Sequence, residues 1–247
     1  MDTSAQRPRI FPTAEECCQY AYERIAAVIR EKPQAVIGLA TGSTPIRIYE
    51  RLVDAYKRGE LDFSRITTVN LDEYVGLPPG HPQSYKAFME THLLGKVNVD
   101  PSNTHIPTSD APDPVAEAAA YEQLVRKLAP VDIWLLGVGV NGHIAFNEPG
   151  TPSDSPTHVV NLTPSTLEAN SRFFGPGEHQ PTSAISVGIG TLLENAREMI
   201  VVATGANKAQ AVRMALEETP SPRCPLSLIR HRAQLVLDAE AASALHK

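Results

Sequence analysis

The sequence predicts an α/β protein: a doubly wound, mostly parallel β-sheet with helices on both faces, which is a Rossmann-like three-layer sandwich. Three observations lead to this prediction. Short apolar runs alternate along the chain with segments of helical length and periodicity. Glycine, threonine or acidic residues follow where several of these runs end. The 247 residues show no linker and no shift in composition, which favours one domain over residues 1–247.

The first half of the chain begins with a helix that is marked at both ends. Thr13-Ala-Glu-Glu16 is a capping box, and the helix is expected to run to about Lys32, before Pro33. Next come an apolar strand over 35–40, a turn over 41–45 and a helix over 46–58, with Pro45 placed at the first helical position. A strand over 66–71 and helices over 84–94 and 115–128 follow.

The second half continues the alternation of strands and helices. The predicted elements are a strand over 131–136, a helix over 166–174, a break at 175–177, a weak strand over 184–187, a short helix over 190–195, a strand over 199–203, a helix over 209–217 and a last strand over 234–237. Strands separated by helices run parallel, with right-handed crossovers.

Composition and charge exclude several classes of function. A net charge of −6 argues against general nucleic-acid binding. No apolar run approaches the length of a membrane span, and the first residues contain no apolar signal segment. Cys17, Cys18 and Cys224 are odd in number and lack ligand spacing, so neither a disulfide framework nor a metal site is expected. These observations predict a cytoplasmic protein with no nucleic-acid or membrane partner.

The segment 131–149 is the most informative stretch of the chain. A short strand-like run ends in Gly137, Gly139 and Gly142, which allow a tight turn and a close approach to a ligand. His143 and Glu148 follow as an acid–base pair. A strand that ends in glycines and delivers these two side chains is typical of half an active site.

The same glycines also fit the dinucleotide-binding pattern G-x-G-x-x-G. That pattern requires a crossover helix directly after the third glycine, with its N-terminus facing the pyrophosphate. Pro149, Gly150 and Pro152 interrupt the residues that follow and exclude such a helix. We therefore reject a nucleotide site.

Four predicted strands release unusual residues at their carboxyl ends: 41–44, 72–73, 137–148 and 204–208. Ligands of open parallel sheets bind outside the carboxyl ends of the strands, so these segments are expected to converge. The turn of Thr41, Gly42, Ser43 and Thr44 offers hydroxyls, N–H groups and the positive end of a helix dipole, which suit a phosphate. Lys208 could add a cation, and Arg172 a bidentate partner. Taken singly, such residues more often form a capped turn and solvated basic side chains than a ligand site.

The acidic residues and the histidine suggest proton transfer. Asp72 and Glu73 follow an apolar strand, where desolvation would make a carboxylate a better base, although an exposed acidic turn is the alternative. His143 could be a structural histidine, but Glu148 can fold back onto its ring and fix the tautomer. A phosphate site, a carboxylate base and an oriented histidine need no metal and no cofactor. They suit ring opening and proton shuttling on a sugar phosphate.

Six motifs resemble those of the glucosamine-6-phosphate deaminase family, in the same order and over nearly the whole chain. They span residues 38–45, 70–76, 137–149, 170–174, 187–192 and 205–208. The Asp72 motif and the segment His143–Pro149 are together highly specific. The resemblance implies conversion of glucosamine 6-phosphate and water to fructose 6-phosphate and ammonium.

The resemblance also implies a role for each site residue. His143 would open the pyranose ring, held by Glu148 and Asn141, and Asp72 would carry the C2 proton to C1. Ser43, Thr44, Arg172 and Lys208 would hold the phosphate. The remaining expected substrate contacts are Thr41, Gly42, Glu73 and Gly137. Residues 161–181 would form a mobile lid.

Two departures from the family pattern affect regulation and charge. Some members carry Asp where this chain has Asn141, so Glu148 alone would supply the charge beside His143. Regulated members place basic residues after the Asn-Glu-Pro motif, whereas residues 150–160 contain only His158 as a potential cation. The chain also ends at Lys247 without an evident extension. We expect an unregulated monomer or small homo-oligomer.

Three other functions agree with parts of the sequence pattern. A 6-phosphogluconolactonase would share the fold but continues differently after its Gly-His motif and lacks the Asp-Glu-Tyr run. A galactosamine-6-phosphate deaminase is harder to exclude, because the substrates differ only at C4. A non-catalytic sugar-phosphate sensor would lose the acid–base set, which is present here.

Overall fold

The computed structural model describes residues 6–175 and 177–246, and the predicted α/β architecture is confirmed. The strands are β1 (Arg9–Phe11), β2 (Val36–Leu39), β3 (Thr67–Asn70), β4 (Asp72–Tyr74), β5 (Thr104–His105), β6 (Ile133–Leu136), β7 (His158–Asn161), β8 (Ser183–Ser186), β9 (Met199–Ala203) and β10 (Ala233–Asp238). The helices are α1 (Ala14–Glu31), α2 (Ser43–Lys57), α3 (Tyr85–His92), α4 (Pro114–Leu128), α5 (Pro164–Ser171), α6 (Ile189–Asn195), α7 (Ala209–Glu217) and α8 (Pro225–Ile229). Short 3₁₀ turns occupy Leu94–Lys96, Pro101–Asn103 and Ala206–Lys208.

Seven strands form one parallel sheet in the order β1-β10-β9-β6-β2-β3-β5. From β2 the chain builds outward through β3 to β5, then returns beside β2 with β6 and builds the other way through β9 and β10. The order therefore reverses between β2 and β6. In sheets of this kind, this switch point is where loops separate and a crevice opens.

The helices cover both faces of the sheet, as right-handed crossovers in opposite directions require. On one face, α1 contacts α2 and lies across β10, β9 and β6. On the other, α4 contacts α6, and α8 contacts both α6 and α7. The strands between them are apolar on both sides, and every residue of β2, β6 and β9 is buried. Within the described residues, no helix combines the length and the apolar character that a bilayer span requires.

A second, antiparallel sheet was not predicted. It has the order β4-β8-β7 and pairs Asp72 with Ser186 and His158 with the same serine. The strand expected over 184–187 therefore belongs to this small sheet and not to the parallel one. The position of Asp72 also differs from the prediction. It is the first residue of β4, whereas it was expected directly after the end of the preceding strand. Leu71 makes the change of sheet, since its N–H donates to Leu39 in the parallel sheet and its carbonyl accepts from Val187.

Other element boundaries were predicted wrongly. Helix α2 begins at Ser43, three residues before the expected start, so Pro45 lies within the first turn and not at its first position. A proline is tolerated there because N–H groups of the first turn have no intrahelical partner. Helix α5 begins at Pro164 and ends at Ser171, earlier than expected at both ends. The sequence analysis missed β1, β5, β7 and α8, which have two to five residues each.

Candidate active site

A cavity of about 990 Å³ opens at the switch point of the parallel sheet. Its walls include the segments that follow β2, β3, β6 and β9, together with residues from α3 and α5. The four strand ends singled out in the sequence thus converge on one cavity. Of the predicted site residues, those that line it are Thr41, Gly42, Ser43, Thr44, Asp72, Gly137, Asn141, His143, Arg172 and Lys208.

The turn over 41–44 brings the start of α2 to the cavity. Gly42 is the N-cap residue and has no side chain to accept from the first N–H groups of the helix. The beginning of the 15-residue helix α2 therefore presents donors and the positive end of its dipole beside the hydroxyls of Ser43 and Thr44. This combination suits an anionic group. The sulfur of Cys18 lies behind the turn, 3.9 Å from the carbonyl oxygen of Thr44.

Two cations face the same cavity. Lys208 ends the 3₁₀ turn after β9, and Arg172 follows α5, where its guanidinium lies over the Phe173 ring at 4.8 Å from the centroid. Neither forms an ion pair with a carboxylate among residues 6–175 and 177–246. Burial, and next the charge of Arg172, lower the pKa of Lys208. Two uncompensated positive charges at one cavity indicate a site for an anion.

Asp72 is the buried carboxylate of the cavity, with only 6% of its surface exposed. In the described part of the chain, nothing donates a hydrogen bond to its side chain. Burial, and next the charge of Glu73, raise the pKa of Asp72 to about 8. A carboxylate held in this way is a stronger base than an ordinary aspartate, as the sequence analysis anticipated.

Glu73 does not reach the cavity, which contradicts its prediction as a substrate contact. Neighbouring residues of a strand point to opposite sides, so Glu73 turns away from Asp72. Its buried carboxylate accepts from the backbone N–H groups of Tyr74, Tyr85 and Lys86 at 2.8–2.9 Å. Glu73 thus holds the start of α3 against β4. Burial raises its pKa despite these three bonds.

The turn after β6 delivers His143 to the cavity by close backbone approach. A Cβ atom at position 139 would lie 2.2 Å from the His143 ring, so only glycine fits beneath it. Gly142 has a φ of +84°, and a Cβ there would also lie 2.6 Å from the sulfur of Cys224. Gly139 donates to the His143 carbonyl at 2.9 Å and closes the turn. Gly139 therefore makes room for the histidine ring, and the close approach of these glycines to a ligand stays a prediction.

Residues 144–147 bring the chain back so that Glu148 meets His143. Asn147 is fully buried, and its amide donates to the carbonyls of Ile144 and Val187 at 2.9 and 2.8 Å. Ala145 lies on the cavity with a φ of 52°, a left-handed conformation that costs a non-glycine residue about 1 kcal/mol. Strain of this kind persists where the surroundings fix the backbone, and here the turn serves the site.

Glu148 is a buried carboxylate beside the histidine and does not itself line the cavity. Its Oε2 lies 3.6 Å from Nδ1 of His143, an ion-pair contact slightly longer than a hydrogen bond, and accepts from the Asn141 amide at 2.9 Å. Its Oε1 accepts from the Thr166 hydroxyl at 2.5 Å. Burial alone would raise the pKa of Glu148, but His143, Thr166 and Asn141 together outweigh it and lower the pKa to about 2.

Asn141 hydrogen-bonds His143, as the resemblance implies, but it does so through the backbone of the histidine and not through its ring. Its Oδ1 accepts from the backbone N–H of His143 at 3.1 Å, and its Nδ2 is used by Glu148. Asn141 therefore orients the turn and the carboxylate. The charge beside the imidazole comes from Glu148.

Two features of the site were not predicted from the sequence: a group of aromatic rings along one wall of the cavity, and the hydroxyl of Thr166. Tyr85 stacks on Phe146 with an interplanar angle of 7°, and Tyr74 packs against Tyr85, Phe146 and Phe174. Tyr74 directly follows the predicted acidic pair and could have been noticed, whereas Tyr85 reaches the cavity only because Glu73 holds α3. Thr166 showed no signal beyond its place in a predicted helix.

The described residues contain no cluster of three or more His, Cys, Asp or Glu side chains that could hold a metal ion. The three cysteines are buried and unpaired. The site therefore consists of hydroxyls, backbone donors, two cations, aromatic rings and the acid–base groups.

Comparison with known proteins agrees with this geometry. The profile of the family described as glucosamine-6-phosphate isomerases/6-phosphogluconolactonase matches residues 12–237. Glucosamine-6-phosphate deaminase 2 of Giardia intestinalis is 51% identical over 223 residues, which cover 90% of this chain and 84% of that protein. The glucosamine-6-phosphate deaminase of an Exiguobacterium species is 51% identical over 233 residues, which cover 94% and 89%.

A solved structure extends the comparison to three dimensions. A monomeric glucosamine-6-phosphate deaminase superposes with a TM-score of 0.93 at 42% identity, covering 97% of this chain and all of the other. Fold, motif order and overall identity thus agree. The chain belongs to the family of glucosamine-6-phosphate isomerases and 6-phosphogluconolactonases.

Proposed function

We propose that this chain is a glucosamine-6-phosphate deaminase, which converts glucosamine 6-phosphate and water to fructose 6-phosphate and ammonium. One observation carries the proposal: a single cavity combines two uncompensated cations with a buried aspartate and a histidine–glutamate pair. The names of the relatives at 51% identity support it.

In the proposed reaction, His143 opens the sugar ring. The imidazole takes the proton of the O1 hydroxyl, and the imidazolium so formed gives a proton to O5. The C1–O5 bond breaks and the open-chain aldehyde forms. Glu148 stays ionised at every working pH, because its pKa is about 2. Its negative charge at 3.6 Å stabilises the protonated imidazole during this transfer.

Asp72 performs the isomerisation. Its carboxylate removes the C2 proton while O1 takes a proton from the ammonium group on C2, which gives an enolamine. Asp72 then returns its proton to C1, which leaves a protonated imine at C2. Water adds to the imine, and ammonium leaves as fructose 6-phosphate forms. The substrate carries its amino group on C2, and a positive charge there favours the ionised form of Asp72.

Ser43, Thr44, Arg172 and Lys208 hold the phosphate in this proposal. The phosphate is remote from C1 and C2, so its binding holds the substrate in place while the sugar ring opens. Thr41, Gly42 and Gly137 line the same cavity and complete the contacts.

An assay with three substrates tests the proposal. Glucosamine 6-phosphate, galactosamine 6-phosphate and 6-phosphogluconolactone are offered in turn, with ammonium and ketose phosphate measured for the first two and acid release for the lactone. We expect ammonium and fructose 6-phosphate from glucosamine 6-phosphate. Lactone hydrolysis without ammonium from either amino sugar would overturn the proposal. Faster turnover of galactosamine 6-phosphate than of glucosamine 6-phosphate would favour the galactosamine compound as the substrate.

We also propose the wider setting of the enzyme. Residues 161–181 act as a lid in this proposal, because they carry Arg172 and reach Glu148 through Thr166. A monomer or small homo-oligomer is favoured by the similarity to a monomeric deaminase. A cytoplasmic location is favoured by the three unpaired thiols, since disulfides form mainly in oxidising compartments.

A further inference from the structure

The hydroxyl of Thr166 contacts the carboxylate of Glu148 from helix α5. Thr166 lies in the first turn of α5, is 4% exposed, and donates its hydroxyl to Oε1 of Glu148 at 2.5 Å. Among the residues that the structure describes, the only other donor near that oxygen is the backbone N–H of Thr163, at 3.5 Å. Oε1 thus depends on one short hydrogen bond from a buried side chain.

The two oxygens of Glu148 have separate partners. Oε2 accepts from the Asn141 amide and faces Nδ1 of His143. A carboxylate turns about one bond, so fixing Oε1 also fixes the direction in which Oε2 points. The Thr166 and Asn141 bonds hold different oxygens, so together they restrict this rotation more than the Asn141 bond does alone.

We propose that Thr166 is a positioning residue for the acid–base pair, and that its hydroxyl holds Glu148 in the orientation that serves His143. The inference rests on the proposed deaminase function. It also explains why α5, whose end carries Arg172, begins against the carboxylate. The segment that supplies a phosphate contact is the one that aligns the acid–base group.

Replacing the hydroxyl tests the inference. Thr166→Val keeps the shape of the side chain and removes the donor, and Thr166→Ser keeps the donor. A hydrogen bond to a charged group is typically strong enough for a change of ~10- to 100-fold. We expect Thr166→Val to lower kcat by this factor with little change in KM, and Thr166→Ser to retain most of the activity. Thr166→Ala removes the hydroxyl in a second way if valine does not fit.

A double-mutant cycle separates positioning from a structural role. In a Glu148→Gln background, Thr166→Val should change kcat by less than about twofold, because Thr166 acts only through the carboxylate. Thr191→Val is the matched control, since Thr191 is also a buried threonine whose hydroxyl donates to a buried carboxylate, that of Glu122 at 2.7 Å, and it lies outside the cavity. We expect a much smaller loss of kcat from this control.

The outcomes separate the inference from the proposed function. A wild-type enzyme that releases no ammonium overturns the function itself. If the wild-type enzyme is active, the inference alone is refuted in any of three cases: Thr166→Val keeps its kcat, the loss persists in the Glu148→Gln background, or Thr191→Val loses as much.

Discussion

Replacing the proposed base should make the protein more stable at alkaline pH. Asp72 is buried, receives no hydrogen bond from the described residues and lies beside the carboxylate of Glu73. Its charge is therefore tolerated in the folded state only at a cost. We predict that Asp72→Asn, which keeps the shape and cannot ionise, unfolds less readily than the wild type at pH 9.

The pH dependence follows from the direction of the pKa change. In the folded protein Asp72 keeps its proton up to a pKa of about 8, whereas in the unfolded chain it ionises near its ordinary value of 3.8. The folded state binds the extra proton between these values, so the stability that Asp72 contributes is full below pH 3.8 and falls until about pH 8. At about 1.4 kcal/mol per pH unit the upper limit of the loss is ~6 kcal/mol. Between pH 5.5 and pH 9 the upper limit is ~3.5 kcal/mol, because the fall ends at the folded pKa of about 8. Water in the open cavity reduces it, and we expect about 1–2 kcal/mol.

Urea unfolding of both proteins at pH 5.5 and pH 9, without substrate, measures this effect. The free energy of unfolding of Asp72→Asn relative to the wild type should rise between the two pH values. Other titrating groups are common to both proteins and cancel in the difference. Asp110→Asn, at an exposed position outside the cavity, is the control and should show no such rise. An equal difference at both pH values, or a smaller one at pH 9, would refute the argument that burial controls Asp72.

Three further predictions concern activity. Asp72→Asn should lose about 10²–10⁴ in kcat while still binding substrate, because the proton carrier is gone and the shape is kept; near-native kcat would remove Asp72 from that role. Lys208→Ala should act mainly by raising KM, because it contacts a phosphate remote from the reacting carbons; an unchanged KM in steady-state kinetics would place Lys208 outside the phosphate site. N-acetylglucosamine 6-phosphate should not activate the enzyme, and the plot of rate against substrate concentration should be hyperbolic. The reason is that residues 150–160 offer only His158 as a potential cation, and its Nδ1 already contacts the Pro156 carbonyl at 2.8 Å. A sigmoidal plot that the acetylated sugar makes hyperbolic would contradict this.

The inner strands of the parallel sheet could be predicted because they are apolar runs separated by helices with clear ends, whereas its edge strands β1 and β5 have only three and two residues. The capping box at Thr13 and Glu16 is present, as predicted. The antiparallel sheet could not be predicted in the same way. Strand β4 has three residues and β7 has only partly buried side chains, so neither gives a periodic signal. The pairing of β4 with β8 depends on Leu71, where the chain passes from the parallel sheet to the antiparallel one.

Residues at the ends of parallel strands were predicted to meet, and they do, because the fold brings those ends together whatever the side chains are. Prediction failed where orientation decides the outcome. Asp72 and Glu73 are adjacent and chemically alike, yet only Asp72 faces the cavity, since a strand alternates its sides. Tyr85 and Thr166 approach the site through contacts between helices and distant segments, which no local pattern encodes.

Two buried sulfurs stand directly behind the turns that build the site. Cys18 lies behind Thr44, and Cys224 lies behind Gly142 with its sulfur 3.7 Å from the Ala211 carbonyl. Burial raises the pKa of both thiols, so alkylating reagents should modify them slowly. An added group on Cys224 has no room and must push aside the turn that carries His143, whereas Cys18 borders a second cavity of about 260 Å³ that can take one. Inactivation by modification of Cys224 would therefore report a displaced turn and not a thiol that takes part in the chemistry, and bound substrate should slow it.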